Sequence, residues 1–183
     1  MNGNDIIDLS LAKTESNWKR KGFLEKQFTE KEKQLILKAE NSFIMVWKLW
    51  SMKESSYKIY VQKNDKRFFA PKKFECKLTS KNGGVVFFQD KIYYTNTLIN
   101  TFFIHTIANS KNNKKNHFKI SSHLNIENDI KKKLEKLSGF SSFEIHKKKT
   151  KNGVPNFYFK DKLLTKSCSI SHHGNYGAFS LLV

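Results

Sequence analysis

The stretch Trp47-Lys48-Leu49-Trp50-Ser51-Met52-Lys53-Glu54-Ser55-Ser56-Tyr57-Lys58 decides the fold of this 183-residue chain. Its aromatic residues Trp47, Trp50 and Tyr57 recur at the three-and-four spacing of a helix that buries one face. The spacing continues upstream, so we predict a long helix over residues 42–60. We take this helix as the element around which the rest of the chain is organised.

Glu54 lies on the aromatic face of that helix, four residues after Trp50 and three before Tyr57. A carboxylate in this position is costly to bury unless a positive charge meets it. Lys58 lies one turn further on and can reach it, but its ammonium is flexible and strongly hydrated. A metal ion, or a bound phosphate with its counter-ion, fits better. An ordinary Glu–Lys pair on the surface is the alternative.

The charge of the chain indicates an anionic partner. Lys and Arg number 34 against 16 Asp and Glu, for a formal net charge of +18. A field of that size attracts nucleic acid, an acidic membrane surface, phosphate-rich ligands or an acidic protein. A general enrichment in Lys is the alternative, but such a bias should raise Glu as well, and it has not. Hydrophobic residues make up 38%, including 16 Phe, which excludes disorder over the whole chain.

The compartment follows from the cysteines and the apolar segments. Cys76 and Cys168 lie far apart, without metal-like spacing, which is typical of a reduced intracellular protein. Residues 1–5 lack the basic and then apolar run of a signal peptide. Polar residues interrupt the most apolar stretch, 98–108, so no segment is suited to cross a bilayer. We therefore expect a soluble cytoplasmic protein without a membrane partner.

The remaining elements alternate between helix and strand. Thr29 followed by Glu32 forms a capping box, which predicts a helix that begins at Glu30. Further predicted elements are an opening strand over 3–9, strands between 74 and 108 with a turn at Gly83-Gly84, a helix over 126–137 stopped by Gly139, a strand–turn–strand unit around Asn152-Gly153-Val154-Pro155, and a last strand over 176–183. No internal repeat is visible.

Residues 63–74 interleave basic and aromatic side chains. Such a segment suits recognition of phosphates and rings, as in a nucleic-acid-binding module. A solvated loop with anchoring phenylalanines is equally compatible with the pattern.

Three separated pieces together resemble the 4′-phosphopantetheinyl transferase superfamily. They are Gly3-x-Asp5, then Trp50-Ser51-x-Lys53-Glu54-Ser55-x-x-Lys58, and finally Ser169-Ile170-Ser171-His172. The family signature is a G-x-D on a strand, followed by [FW]-[SCT]-x-K-E-[SA]-x-x-K on a helix. Because the Ser-x-Ser-His piece comes last, the chain looks closest to the small holo-acyl-carrier-protein synthase type. The resemblance covers roughly residues 1–60 and 140–183.

The resemblance implies an α+β fold, in which a small antiparallel sheet packs on the long helix. It implies one domain over residues 1–183, in which residues 76–125 form a β-rich insertion that the small type lacks. In the small type the active site lies between subunits, so we expect a homo-oligomer, specifically a homotrimer.

The implied reaction transfers 4′-phosphopantetheine from coenzyme A to a serine of an acyl or peptidyl carrier protein. Asp5 and Glu54 would hold one Mg²⁺, since oxygen ligands from few protein groups suit this ion. Glu54 would also be the base for the serine proton, directly or through a metal-bound water. A strand-end aspartate that caps a turn is the alternative for Asp5.

The resemblance also implies a binding site for the coenzyme. Lys53 and Lys58 would supply positive charge to the leaving diphosphate, with Lys58 also counted as catalytic. Ser171 and His172 would bind a phosphate of coenzyme A. A satisfied, half-buried histidine is the alternative for His172.

The carrier proteins of fatty-acid, polyketide and peptide synthesis are small acidic helical domains. A transferase with a net charge of +18 would attract them electrostatically. The competing hypothesis is a basic nucleic-acid-binding module without enzymatic activity. It predicts binding that weakens steeply with salt and does not depend on Glu54.

Overall fold

The chain folds into two halves of mixed helix and strand. The computed structural model describes residues 1–64, 67–68, 70–112 and 116–183. The first half contains β1 (Asn2–Asp8), α1 (Leu9–Glu15), α2 (Phe23–Gln27), α3 (Glu30–Lys38), α4 (Ser42–Asn64), β2 (Glu75–Leu78), β3 (Gly83–Phe88), β4 (Lys91–Ile99) and β5 (Phe103–Asn109). The second half contains β6 (His117–Ser122), α5 (Ile126–Ser138), β7 (Ile145–Lys149), β8 (Pro155–Phe159), β9 (Lys162–Leu163), β10 (Ser167–His173) and β11 (Tyr176–Leu182). Short 3₁₀ helices span Pro71–Lys73 and His123–Asn125.

The first half is an antiparallel sheet that packs on α4. The strand order is β1-β5-β4-β3-β2, and apolar side chains of α4 and of the sheet form one core. β1 and α4 approach so closely that a Cβ on Gly3 would lie 2.0 Å from the carbonyl oxygen of Ser55. Only glycine fits there. The predicted α+β class, with an antiparallel sheet on a long helix, is confirmed.

The second half repeats this connectivity in smaller form. Its strands form the sheets β10-β11-β6 and β7-β8-β9, and α5 packs its apolar face over a second core. In each half the first strand pairs with the last strand, and the last strand pairs with the one before it in that sheet. The repeat is one of topology, which explains why it is not visible in the sequence. That residues 76–125 are an insertion stays a prediction.

Side chains, rather than another strand, satisfy the open edge of β1. Three N–H groups of β1 donate to β10, each at 2.9 Å: Asn2 to Ser167 Oγ, Asn4 to Ser169 Oγ and Asp8 to His173 Nδ1. Two carbonyls of the same edge accept from α4, each at 2.7 Å: Asn2 O from Gln62 Nε2 and Asn4 O from Lys58 Nζ. Unpaired edge groups are costly when buried, so this seam joins the two halves.

Local predictions that depend on neighbouring residues are confirmed. The carboxylate of Glu32 accepts from Thr29 N at 2.8 Å and Thr29 Oγ1 accepts from Glu32 N at 3.4 Å, which completes the capping box of α3. Gly139 ends α5 with a left-handed φ of 77°. The predicted long helix is present as α4 and extends one turn further, to Asn64.

Two local predictions are wrong. Leu9 begins α1 instead of ending the opening strand, because the Asp8 carboxylate caps that helix by accepting from Ser10 N and Leu11 N. Gly83-Gly84 lies inside β3, and the chain reverses over residues 79–82. A Cβ on Gly84 would lie 2.5 Å from Met52 Cε of α4, so this glycine serves the packing of sheet on helix.

Parts of two predicted loops lie outside the described residues, namely 65–66 and 69 in the basic-aromatic segment and 113–115 in the polar segment before β6. Among the residues that are described, none of the helices has both the length and the apolar character needed to span a membrane.

Candidate active site

Asp5 and Lys58 meet where β1 packs on α4. Lys58 Nζ lies 3.2 Å from Asp5 Oδ1, and both side chains are only partly exposed. Ser51 Oγ donates to the backbone oxygen of Asp5 at 3.4 Å. Successive side chains of a strand point to opposite faces, so Asp5 shares the helix-facing side of β1 with Gly3.

Glu54 is the electrostatic neighbour of this pair. Its carboxyl is partly buried, and its pKa is raised to about 7, first by burial and next by the negative charge of Asp5, against a smaller lowering by Lys58. Two carboxylates from distant parts of the sequence therefore share one electrostatic environment. The structure brings together three of the predicted site residues: Asp5, Glu54 and Lys58.

This group opens into a cleft between the two halves of the chain. The cleft has a volume of about 330 Å³, within the range of small-ligand sites. One wall is α4, through Glu54, Lys58 and Gln62. The opposite wall comes from the turn at residues 152–155 and from residues 168–170 of β10. Both walls therefore belong to one chain.

The donor set at the inner end of the cleft fits a hard divalent cation. Asp5 and Glu54 offer carboxylate oxygens, and a cation between them would offset the repulsion and burial that raise the pKa of Glu54. Within the described ranges, no three or more His, Cys, Asp or Glu side chains cluster as metal ligands. A cation here would take its other ligands from substrate and water, as Mg²⁺ commonly does.

Lys53 does not face this cleft. Its side chain is 1% exposed, and its ammonium donates to Glu32 at 2.8 Å, to Pro71 O at 3.1 Å and to Phe74 O. These bonds use all three N–H groups of the ammonium. The Glu32 carboxylate is also fully buried and accepts from Cys76 N at 2.7 Å. The pair clamps α3, α4 and β2 together, and the geometry does not offer Lys53 to a diphosphate.

The two predicted residues of β10 have different surroundings. Ser171 is buried, and its hydroxyl accepts from Asn4 Nδ2 at 3.0 Å, so it belongs to the seam along β1. His172 is exposed and lies on the same face of β10 as Ile170, which lines the cleft. Of the two, His172 is the one that a ligand in the cleft can approach. His173, by contrast, is tied to Asp8 N.

Arg67 is a cleft residue that sequence reasoning did not single out. It lies in the basic-aromatic segment 63–74, whose aromatic side chains turn inward. The ring of Phe68 packs against Tyr57 and Tyr60 at centroid distances of 5.6 and 5.0 Å, and Phe74 is 1% exposed. These rings anchor the segment and offer no stacking platform for nucleic-acid bases. The turn at 152–155, which the sequence did predict, forms the facing wall.

Comparison with known proteins places these residues in a family. The model of the 4′-phosphopantetheinyl transferase superfamily (ACPS) matches residues 2–115, more than half of the 183 residues. A crystal structure of Thermotoga maritima holo-[acyl-carrier-protein] synthase (AcpS) aligns over 84% of this chain and 80% of that chain, with 14% sequence identity and a TM-score of 0.46. No curated protein matches the chain. From the extent of the family match, which includes Asp5, Glu54 and Lys58, the chain belongs to the 4′-phosphopantetheinyl transferase superfamily.

Proposed function

We propose that this transferase moves the 4′-phosphopantetheine group of coenzyme A to a serine of an acyl or peptidyl carrier protein, with Mg²⁺ as cofactor. The observation that carries the proposal is the meeting of Asp5, Glu54 and Lys58 at the inner end of a cleft. Two coupled carboxylates with a lysine beside them suit a diphosphate that is bound together with a cation.

The residues divide the work of one displacement. The hydroxyl oxygen of the acceptor serine attacks the phosphorus that carries pantetheine, and the bond from that phosphorus to the bridging oxygen breaks. The electron pair of that bond leaves with adenosine 3′,5′-bisphosphate. Glu54, once ionised, accepts the serine proton, and its pKa of about 7 suits a base that works near neutrality.

Lys58 and the cation share the stabilisation of charge. Bound Mg²⁺ would neutralise diphosphate oxygens, with Asp5 and Glu54 as its protein ligands. Lys58 now donates to Asp5 and to the edge carbonyl of Asn4, and in the complex it turns a donor toward the leaving phosphate. His172 borders the cleft and contacts a phosphate of the coenzyme. Lys53 acts as a clamp that positions α4 rather than as a ligand.

A single chain suffices for this site. The cleft is walled by α4 on one side and by the 152–155 turn and β10 on the other, all from the same molecule. The homotrimer therefore stays a prediction, and catalysis does not require it. Specific activity that holds constant on dilution to the nanomolar range supports the single-chain site, whereas a steep loss on dilution refutes it.

The protein substrate is an acidic carrier domain in the cytoplasm. The net charge of +18 favours encounter with such a domain. In a nucleic-acid-binding module the same charge would serve another partner. The family match and the inward-facing rings of Phe68 and Phe74 favour the transferase.

Incubation with coenzyme A, Mg²⁺ and a panel of apo carrier proteins tests the proposal. We expect a mass gain of one phosphopantetheine on at least one carrier. Asp5→Asn and Glu54→Gln should abolish the gain while the fold survives. Glu40→Gln, at an exposed carboxylate, is the matched control and should leave it unchanged. No mass gain on any carrier, or full activity of both site variants, refutes the proposal.

A further inference from the structure

Arg67 lies at the outer end of the cleft, in a chain that otherwise relies on lysine. Arg20 and Arg67 are the only arginines among 34 basic residues. Arg67 lines the cleft just beyond the end of α4 at Asn64. Arginine differs from lysine in offering a planar fork of donors, which matches the oxygens of a phosphate.

The facing turn receives this guanidinium in a defined way. Arg67 Nε donates to Asn152 O at 2.9 Å, and Nη2 donates to the same oxygen. Gly153 has a left-handed φ of 79°, and a Cβ at this position would lie 2.6 Å from Arg67 Nη2. The glycine therefore leaves room for the guanidinium. The turn belongs to the second half and Arg67 to the first, so their contact closes the outer end of the cleft.

Two of the five N–H groups of the guanidinium are used in this way, and the others remain for a ligand. Over residues 1–64, 67–68, 70–112 and 116–183, no Asp or Glu forms an ion pair with Arg67. A guanidinium that is held by a backbone carbonyl, and not by a carboxylate, keeps its charge available to an anion.

The length of the cleft separates Arg67 from the reacting end. Glu54, Lys58 and Gln62 line the cleft at intervals of four residues along α4. At a rise of 1.5 Å per residue, this line spans about 12 Å, and Arg67 follows beyond it. Coenzyme A carries phosphate at two places: the diphosphate, and the 3′-phosphate on the ribose, one sugar away. If the diphosphate lies at Asp5, Glu54 and Lys58, the 3′-phosphate falls toward the outer end.

We propose that Arg67 binds the 3′-phosphate of coenzyme A and that the turn at Asn152-Gly153 holds its guanidinium for this contact. The inference rests on the proposed function, since it takes coenzyme A as the occupant of the cleft. A phosphate monoester carries close to two negative charges and accepts two parallel N–H bonds. Arg67 thereby distinguishes coenzyme A from dephospho-coenzyme A, which lacks only this phosphate.

Steady-state kinetics with the two donors test the assignment. A charged hydrogen bond contributes about 1.5–3 kcal/mol, so Arg67→Gln should raise KM for coenzyme A by about 10- to 100-fold. KM for dephospho-coenzyme A should stay within about 2-fold of the wild-type value, since the contact that is lost, about 0 kcal/mol, is absent for that donor. Arg20→Gln, at the other exposed arginine, is the control and should change neither donor. An equal loss with both donors, or no loss with either, overturns the inference.

Gly153→Ala probes the same contact without changing a charge. Its Cβ would displace the guanidinium, so it should reproduce the donor-selective rise in KM. Calorimetric binding of adenosine 3′,5′-bisphosphate and of adenosine 5′-monophosphate gives a readout that needs no transfer. The wild-type chain should prefer the bisphosphate, and Arg67→Gln should remove that preference; a preference that survives in this variant overturns the inference. Absence of transfer in the wild-type chain, by contrast, is a failure of the proposed function.

Discussion

Replacement of Glu54 by Gln should reverse part of the pH dependence of stability. The pKa of the Glu54 carboxyl is raised from 4.5 to about 7 in the folded chain, chiefly by burial and then by Asp5. The unfolded chain therefore releases this proton at lower pH than the folded chain does. A group whose folded pKa is raised contributes stability below its unfolded pKa, and this contribution is lost as the pH rises through the folded pKa.

The magnitude follows from the shift. At 1.36 kcal/mol per pKa unit, raising the pH from 4 to 8 should cost the wild-type chain about 3 kcal/mol through Glu54, less whatever solvent screening its partial exposure allows. Gln does not titrate, so the Glu54→Gln chain escapes this loss. The free energy of unfolding of the variant, relative to the wild type, should therefore rise by up to about 3 kcal/mol between pH 4 and pH 8.

Urea unfolding in EDTA at pH 4, 6 and 8, monitored by tryptophan fluorescence, measures this difference. All other titrating groups are common to both chains and cancel in the comparison. Addition of Mg²⁺ at pH 8 should then stabilise the wild type, by about 2.7 kcal/mol at a hundred times its Kd, and should leave Glu54→Gln unchanged. A wild-type-to-variant difference that stays constant from pH 4 to pH 8 would refute the argument that Glu54 is a buried carboxylate beside Asp5.

Three further substitutions separate chemistry from architecture. Lys58→Met should lower the rate of transfer by about 100- to 1,000-fold, as the loss of a donor to a developing oxyanion does in other enzymes, and a rate within about 2-fold of wild type would contradict its role. Lys53→Met should cost about 3–5 kcal/mol of unfolding free energy because Glu32 is left buried and unpaired, whereas Lys53→Met combined with Glu32→Gln should recover much of it in urea titrations. Equal stability of the single and double variants would argue against the clamp. Ser169→Ala should cost about 1–3 kcal/mol because Asn4 N loses its acceptor, and a change below about 0.5 kcal/mol would show that water replaces the hydroxyl.

Features set by neighbours along the chain could be predicted from the sequence. The capping box of Thr29 and Glu32, the stop at Gly139 and the existence of α4 all depend on interactions within a few residues. The motif pieces that carry Asp5, Glu54 and Lys58 indicated the family in the same local way. The family match confirms that indication, while the roles of the individual residues stay proposals.

Features set by contacts between distant segments could not be predicted. Lys53 and Glu54 are adjacent, but one turns into the protein and the other toward the cleft, because the partner of Lys53 is Glu32 on another helix. Gly84 looked like a turn residue and proved to be a packing residue under Met52. In both cases the residue type was clear and its partner was not.

The sequence by itself determined which residues carry the chemistry and which segments form helices, because residue type, spacing and caps act over short distances along the chain. Only the tertiary structure decided which of those residues meet. It showed that β10 satisfies the open edge of β1 through serine side chains, that one chain supplies both walls of the cleft, and that Arg67 reaches Asn152 across it. These contacts join residues that are 85 to 165 positions apart, and no local pattern encodes such a pairing.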